Sequence, residues 1–322
     1  MVVDQENFND KTSSPPFFLA ITGGKGGTGK TLICSNLALL LQQKNAKILL
    51  IDCDVDNPNT NILFSKQLTD PDVREQDVSI FQPSFIQNRC TQCKICQEAC
   101  YRHAILQFPG KYPLLMEHMC SGCRTCQRVC PEDAIENSAR IVGKQYFIKD
   151  LYPNLDLLVG ELKPSEAVSI LVVESILKYA TTLIKKNGYD YVVIDTSPGA
   201  HCDVERVLMA CDLILCVTEP TPFGAHDLKR ILELIQIIGK PAYILLNRSD
   251  LTEYREEILE IQRKNNVPII GEIPIDRLIM ENYARGHPFV LDPREFPGKT
   301  AMYEIFHHIF ALLTKKHPTE EI

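Results

Sequence analysis

Phe17-Phe18-Leu19-Ala20-Ile21-Thr22-Gly23-Gly24-Lys25-Gly26-Gly27-Thr28-Gly29-Lys30-Thr31 is the stretch on which the fold turns. Its first six residues form a short apolar run, the pattern of a strand buried on both faces. The run passes directly into Gly24-x-x-x-x-Gly29-Lys30-Thr31, the Walker A spacing, and a helix is predicted from about Lys30. Each residue type there has a use in holding phosphate. Glycines let backbone N–H groups of Gly24, Gly26, Gly27, Thr28 and Gly29 approach, and the helix N-terminus favours negative charge. Lys30 reaches the β- and γ-phosphates, and Thr31 supplies an oxygen to Mg2+.

Further segments continue the same alternation of strand and helix. Lys47-Ile48-Leu49-Leu50-Ile51 reads as a strand that ends in Asp52-Cys53-Asp54-Val55-Asp56-Asn57-Pro58-Asn59. Carboxylates at the C-terminal end of a strand lie where open α/β sheets bind ligands. Tyr191-Val192-Val193-Ile194-Asp195 has the continuous apolar pattern of a central strand, and its terminal Asp195 can bind Mg2+ through water. Asp195-Thr196-Ser197-Pro198-Gly199 follows it, and Leu213–Thr218 and Ala242–Asn247 are also strand-like. The expected class is α/β: a doubly wound, mostly parallel sheet.

One stretch, residues 84–137, breaks that rhythm and holds eight of the chain's 13 cysteines. The runs are Cys90-x-x-Cys93-x-x-Cys96-x-x-x-Cys100 and Cys120-x-x-Cys123-x-x-Cys126-x-x-x-Cys130-Pro131. Spacings of two, two and three let one tight loop present three sulfurs to a cubane while the fourth reaches a neighbouring cluster, as in two-cluster bacterial ferredoxins. A zinc site would instead need four ligands in paired Cys-x-x-Cys units. Residues 99–105 repeat in 129–135, as two pseudo-symmetric halves require, with Tyr101 in the place of Pro131. Such connectivity gives Cys90, Cys93, Cys96 and Cys130 to one [4Fe–4S] cluster and Cys120, Cys123, Cys126 and Cys100 to the other. The expected organisation is an N-terminal ATPase part at 1–83, an inserted α+β two-cluster ferredoxin domain at 84–137, and a C-terminal ATPase part at 138–322. Strands at Tyr146-Phe147-Ile148 and Leu155–Val159 and a helix over about 166–186 lead back to the first fold. Cys34, Cys53, Cys211 and Cys216 sit in apolar contexts and read as small core residues.

Lys25 makes the loop more specific than an ordinary Walker A. Lys25-Gly26-Gly27-Thr28-Gly29-Lys30-Thr31 resembles the deviant P-loop of the MinD, ParA, Mrp and nitrogenase iron-protein superfamily. Together with the two cysteine runs, Asp195–Gly199 and Thr218–Gly224, the chain resembles MinD-superfamily ATPases with an inserted ferredoxin domain. That resemblance covers nearly the whole sequence. It implies a homodimer with nucleotide sandwiched at the interface, in which Lys25 reaches the partner's nucleotide. It also implies that Asp54 orients the attacking water, that Asp52 touches the Mg2+ shell through water, that Gly199 donates to the γ-phosphate, and that Asn247 contacts the base. Asp56 reads either as part of this switch or as a turn residue. Asn247-Arg248-Ser249-Asp250 is similar to the guanine-reading motif of GTPases, but Arg248 departs from it and ATP is the expected nucleotide. Asp250 is expected to cap a helix starting near Leu251, and Gly271–Asp276 resembles the strand and loop that pass the base in these ATPases while reading equally as an ordinary strand end. Cys202 sits at the offset of a bridging cysteine of the nitrogenase iron protein, without a second cysteine between Cys130 and Cys202 to complete such a set.

Composition narrows the classes further. A net charge of −7 and the lack of a basic stripe argue against a nucleic-acid surface. No apolar run reaches about 20 residues and no leader pattern opens the chain, so stable membrane insertion is not expected and a cytoplasmic location is. The C-terminal helix, apolar at 302, 305, 306, 309, 310, 312 and 313, has few basic residues beyond Lys315 and Lys316 and should pack on the core. The expected activity is ATP hydrolysis at Lys25, Lys30 and Asp54, coupled to two [4Fe–4S] clusters for low-potential electron transfer or cluster handling, with an unidentified redox partner or cluster acceptor. The alternatives are an Mrp-like cluster carrier and a positioning or regulatory ATPase without redox chemistry.

Overall fold

The computed structural model describes residues 15–251 and 254–316. The chain opens with β1 (Phe17–Thr22), α1 (Lys30–Gln42) and β2 (Ile48–Cys53), then runs to the rim of the main sheet in β3 (Arg74–Ile80). It leaves that sheet through β4 (Pro83–Phe85), α2 (Ile95–Glu98), β5 (Ile105–Leu106), β6 (Leu114–Leu115), α3 (Thr125–Arg128) and β7 (Ile135–Asn137). It returns along β8 (Arg140–Tyr152) and β9 (Leu155–Leu162). Alternation then sets in: α4 (Ser169–Asn187), β10 (Tyr191–Thr196), α5 (Cys202–Ala210), β11 (Leu213–Thr218), α6 (Pro222–Ile238), β12 (Ala242–Asn247), α7 (Arg255–Asn265) and β13 (Ile269–Ile273). Two helices, α8 (Arg277–Ala284) and α9 (Pro297–Lys316), follow.

Among the described residues the main sheet has nine strands in the order β13-β12-β11-β1-β10-β2-β9-β8-β3. From β13 to β9 every neighbouring pair is parallel, while β8 and β3 extend the sheet antiparallel. The sheet is thus α/β and mostly parallel, as expected, but β3 and the 13-residue length of β8 were not anticipated. Arg74, Glu75, Gln76 and Asp77 of β3 are all exposed, so no apolar alternation announces that strand. It forms because β8 offers a long partner along which it can pair.

Both faces of the sheet are covered. On one, α1 and α9 pack with Phe289, Val290 and Phe296; on the other lie α4, α5, α6 and α7. Almost every side of α1 is buried, which is why its sequence is apolar all round and lacks a polar stripe. Met302, Ile305, Phe306, Ile309 and Leu313 of α9 lie in the first core, so this helix packs on the sheet as its pattern predicts. The side chains of Lys315 and Lys316 lie outside the described residues. No helix among the described residues is long and apolar enough to cross a membrane.

The cysteine-bearing stretch forms two short antiparallel ladders, β4 with β7 and β5 with β6, around a separate small core of Phe81, Cys96, Ile105, Cys126 and Ile135. Its two halves repeat in backbone conformation as well as sequence. Gln92, Lys94 and His103 have positive φ, and so do Gly122, Arg124 and Asp133 at the matching places. Two helix starts differ from expectation. α4 begins at Ser169, leaving Glu166 in the loop before it, and α7 begins at Arg255, well beyond Asp250.

Candidate functional site

A cleft of about 980 Å3 opens at the carboxyl ends of the parallel strands. Its walls come from the loops that follow β1 (Gly26, Gly27, Gly29), β2 (Asp54, Asp56), β10 (Ser197, His201), β11 (Glu219), β12 (Asn247, Arg248) and β13 (Pro274, Ile275). That convergence is what a doubly wound sheet produces, since all its parallel strands point the same way.

The loop between β1 and α1 is held in shape from several sides. A Cβ on Gly24 would lie 2.4 Å from the backbone oxygen of Asp227 in α6, so only glycine lets the loop sit this close. Gly29 has φ +97°, and a Cβ there would lie 2.5 Å from the Asn247 amide. Asn247 donates to the Thr28 carbonyl at 2.8 Å. This residue, expected at the base, thus buttresses the loop while also lining the cleft. Lys30 is buried and donates to the Lys25 carbonyl at 3.1 Å. Burial pulls its pKa below the ordinary lysine value, against the opposing effects of Asp195 and Asp54.

Carboxylates gather beneath the loop. Thr31 donates its hydroxyl to Asp195 at 2.5 Å, while the second oxygen of Asp195 is buried with no hydrogen-bond partner among the described residues. Burial raises the pKa of Asp195, with Asp52 adding to the effect. An orphaned carboxylate oxygen beside a threonine hydroxyl is a hard-oxygen donor set, and it fits a hydrated Mg2+. Asp52 accepts from the backbone N–H groups of Asp54, Asn59 and Thr60, each at 3.0 Å. It is fully buried and organises the loop after β2. Asp54 reaches the cleft, and its pKa is pushed up to about 7, first by burial and then by Asp52. Gly199, with φ +97°, donates its N–H to the Gly23 carbonyl at 3.1 Å, tying the loop after β10 to the start of the phosphate loop.

Lys25 lies against Glu219, 3.5 Å away, with its ammonium 5.3 Å from the centre of the Phe223 ring. Glu219 is buried and also accepts from Arg248 at 2.9 Å. One carboxylate at the end of β11 therefore holds two cations on the rim of the cleft. Asp250 caps no helix among the described residues: it accepts the N–H of Ile275 at 2.7 Å and joins the loop after β12 to the one after β13.

A family model described as the CobQ/CobB/MinD/ParA nucleotide binding domain matches residues 19–289. The chain belongs to this family. An uncharacterized protein of Methanocaldococcus jannaschii is 32% identical to it over 278 residues, 86% of this chain and 93% of that one. Among solved structures, the septum site-determining protein MinD of Pyrococcus horikoshii, complexed with Mg-ADP, is similar with a TM-score of 0.58 at 18% identity, over 94% of this chain and 100% of that one. The cell division ATPase MinD of Pyrococcus furiosus has a TM-score of 0.56 at 19% identity, over 92% and 99% of the two chains. At such identities the likeness speaks for the fold alone.

This CobQ/CobB/MinD/ParA family domain carries a second constellation outside its nucleotide cleft. Cys90, Cys93, Cys96 and Cys130 line one cavity, and Cys100, Cys120, Cys123 and Cys126 line another. The fourth cysteine of each run thus crosses to the other run's cavity. Equivalent contacts recur: the N–H of Ala104 donates to the Cys100 sulfur and that of Ala134 to the Cys130 sulfur, both at 3.3 Å. Burial pushes the thiols of Cys96 and Cys126 up to about 11. Among the described residues no group of three or more His, Cys, Asp or Glu side chains is drawn together tightly enough for one metal ion. The sulfurs surround cavities instead of meeting at a point.

Other residues of the family domain fall as follows. Cys34, Cys53, Cys211 and Cys216 are buried, as read from their apolar contexts, while Cys202 is exposed at the start of α5. His201 lines the cleft, and His308 packs against the Ile270 carbonyl at 3.1 Å. Sequence reasoning missed Glu219 as the partner of Lys25, because 194 positions separate them. It also missed Met280 and Tyr283, which line the cleft from α8. Their only signal was apolar and aromatic character on a short helix after the loop that follows β13.

Proposed function

We propose that the protein is an ATP-binding and ATP-hydrolysing switch, active as a homodimer, whose nucleotide state is coupled to two [4Fe–4S] clusters in the cysteine module. Its use would be low-potential electron transfer or the handling of iron–sulfur clusters, in a reducing compartment such as the cytoplasm. The observation that carries this reading is the division of eight cysteines into two crossed quartets around separate cavities, in a chain whose nucleotide cleft lies on the same fold.

Four soft sulfur donors around each cavity suit a cubane, which is wider than a single ion. The N–H groups of Ala104 and Ala134 are placed to stabilise thiolates at Cys100 and Cys130, and Phe81, Ile105 and Ile135 keep water from the inner sides. Bound clusters supply one-electron chemistry. The chain's part is to hold the eight sulfurs and to link them to the domain below.

At the cleft, Lys30 would hold the β- and γ-phosphates, with Gly24, Gly26, Gly27, Thr28 and Gly29 presenting backbone N–H groups. Thr31 and Asp195 would hold the Mg2+ shell, supported by the free oxygen of Asp195. Asp52 shapes the loop that carries Asp54, and Asp54 would orient the attacking water. Lys25, once released by Glu219, would neutralise charge on the partner's nucleotide. ATP is favoured over GTP because the Asp250 carboxylate, the group that would read guanine, is engaged by the Ile275 N–H. The Mg-ADP complex of the Pyrococcus horikoshii protein supports the same nucleotide class.

The test is anaerobic reconstitution followed by redox titration with and without ATP. About eight iron atoms per chain are expected, with hydrolysis lost in Lys30→Ala and a cluster potential that moves with nucleotide. A protein that hydrolyses ATP but takes up no iron would leave only the regulatory-ATPase reading. Unchanged potentials and transfer rates in both nucleotide states would sink the coupling.

A further inference from the structure

We propose that the outward face of the β5–β6 hairpin is the docking surface for an acidic electron-carrier protein, an inference that rests on the cluster reading above. In an antiparallel ladder, side chains two residues apart share a face. Leu106 pairs across the ladder with Leu114. Phe108 and Met116 lie two residues beyond Leu106 and Leu114 in sequence, outside the paired residues. All four are open to solvent, at 41% for Leu106, 59% for Phe108, 59% for Leu114 and 45% for Met116. The alternate pair, Ile105 and Leu115, turns inward onto the small core. Four exposed apolar side chains on and beside one short hairpin mark a contact surface more than a solvated one.

Position and charge indicate what covers it. Gln107 and Pro113 of the hairpin line the cavity of Cys90, Cys93, Cys96 and Cys130, and Ala104 and Ile105 line the other. A protein seated on the outward face is separated from both quartets by little more than one layer of structure, roughly 10 Å. Arg102 precedes the hairpin and Lys111 lies in its turn; both are exposed, and neither makes an ion pair among the described residues. Glu117, just past Met116, accepts from the side chain of Gln82 at 3.2 Å. Residues 84–137 hold six Lys and Arg against five Asp and Glu, in a chain whose net charge is −7. An apolar centre with unpaired cations fits a carrier whose own apolar patch is rimmed by carboxylates. Each encounter moves one electron, oxidising the module by one and reducing the carrier by one.

The test uses the full chain with reconstituted clusters, reduced by dithionite and freed of excess reductant, then mixed by stopped flow with an oxidised acidic flavodoxin. The small dye dichlorophenolindophenol serves as an acceptor that needs no docking surface. Phe108→Glu and Leu114→Glu are expected to slow flavodoxin reduction by at least about tenfold, with iron content and dye reduction unchanged. Arg102→Glu combined with Lys111→Glu, which leaves the apolar row intact, is expected to slow it similarly and to remove its dependence on ionic strength. Flavodoxin rates unchanged in both sets of variants, with clusters present and the dye reduced, overturn the docking surface alone. Sedimentation showing that Leu114→Glu splits a wild-type dimer also overturns it, because a second copy would then cover the row. A wild-type protein that takes up no iron overturns this inference together with the cluster reading.

Discussion

Arg140 donates from one amino group to both carboxylate oxygens of Glu166, each at 2.9 Å, and from the other to the Cys120 carbonyl at 2.9 Å. Both side chains are less than a tenth exposed. The pair therefore clamps the cysteine module, at the first residue of its second run, to the loop that leads into α4. Removing Glu166 strands a buried cation, whereas a neutral amide keeps one acceptor. Glu166→Ala is expected to cost about 3–5 kcal/mol of unfolding free energy; Glu166→Gln should cost clearly less. Urea denaturation of the two variants checks this, and equal losses would mean that the charge is not what is being satisfied.

Thr31 and Asp195 make the second expectation. The hydroxyl of Thr31 covers one oxygen of Asp195 and leaves the other uncovered. Thr31→Ala is expected to weaken Mg-ADP binding by about tenfold or more, while ADP binding in EDTA changes little. Calorimetric titrations in the two buffers separate the metal contribution from the phosphate contribution. Equal weakening in both would place Thr31 outside the Mg2+ shell.

Asp54 carries a pH dependence. Its pKa rises from the ordinary 3.8 to about 7 through burial and the neighbouring Asp52. The carboxyl is therefore mostly protonated below pH 7 and ionised above it, and hydrolysis that needs the carboxylate should climb through an inflection near 7. Asp54→Asn is expected to flatten that profile and lower turnover by about a hundredfold. Stability runs the other way. A raised carboxyl pKa gives stability that is whole below about pH 4 and is lost as pH rises through 7. Because the group is partly solvated, the loss is on the order of 1–2 kcal/mol. Asp54→Asn should remove that slope in thermal melts between pH 5 and pH 8, and a slope that survives the substitution would assign it to other groups.

Lys25 and Glu219 set the fourth. The pair spans 3.5 Å, with Lys25 partly exposed and Glu219 buried, so the lysine can leave at modest cost. Lys25→Ala is expected to keep nucleotide binding within about threefold and to lose ATP-dependent dimer formation. Glu219→Gln, which loosens the hold on Lys25 by about 1 kcal/mol, should strengthen the dimer by roughly fivefold. Light scattering across a concentration series with and without ATP reads both. Full dimerisation of Lys25→Ala would overturn the role given to that lysine.

Much of this was visible in the chain. The continuous apolar strands β1, β2, β10 and β11 stood out because a parallel strand covered on both faces needs no polar alternation. The two cavities are lined by the grouping that the resemblance to two-cluster ferredoxins implies, with Cys130 beside the first run and Cys100 beside the second. β3 did not stand out, since most of its side chains face solvent and its pairing comes from β8, 60 or more residues away. The helix expected after Leu251 starts later, and Asp250 takes the Ile275 N–H in place of a cap. Local capping preference lost there to a contact between two loops that only the sheet brings together.

The parallel sheet, the glycine-rich loop, the grouping of the cysteines and the carboxylates at strand ends were all legible in the chain. All of these are local patterns, decided by spacing over a few residues and by the burial of contiguous apolar runs. Tertiary structure decided which groups those residues meet. Asn247 meets Thr28, Lys25 meets Glu219, and Arg140 joins Cys120 to Glu166. Such contacts depend on strand order, and strand order places residues far apart in the chain side by side at one end of the sheet. No spacing in the sequence encodes that distance, so only the folded chain could assign Glu219 its two cations and Asp52 its three backbone N–H groups.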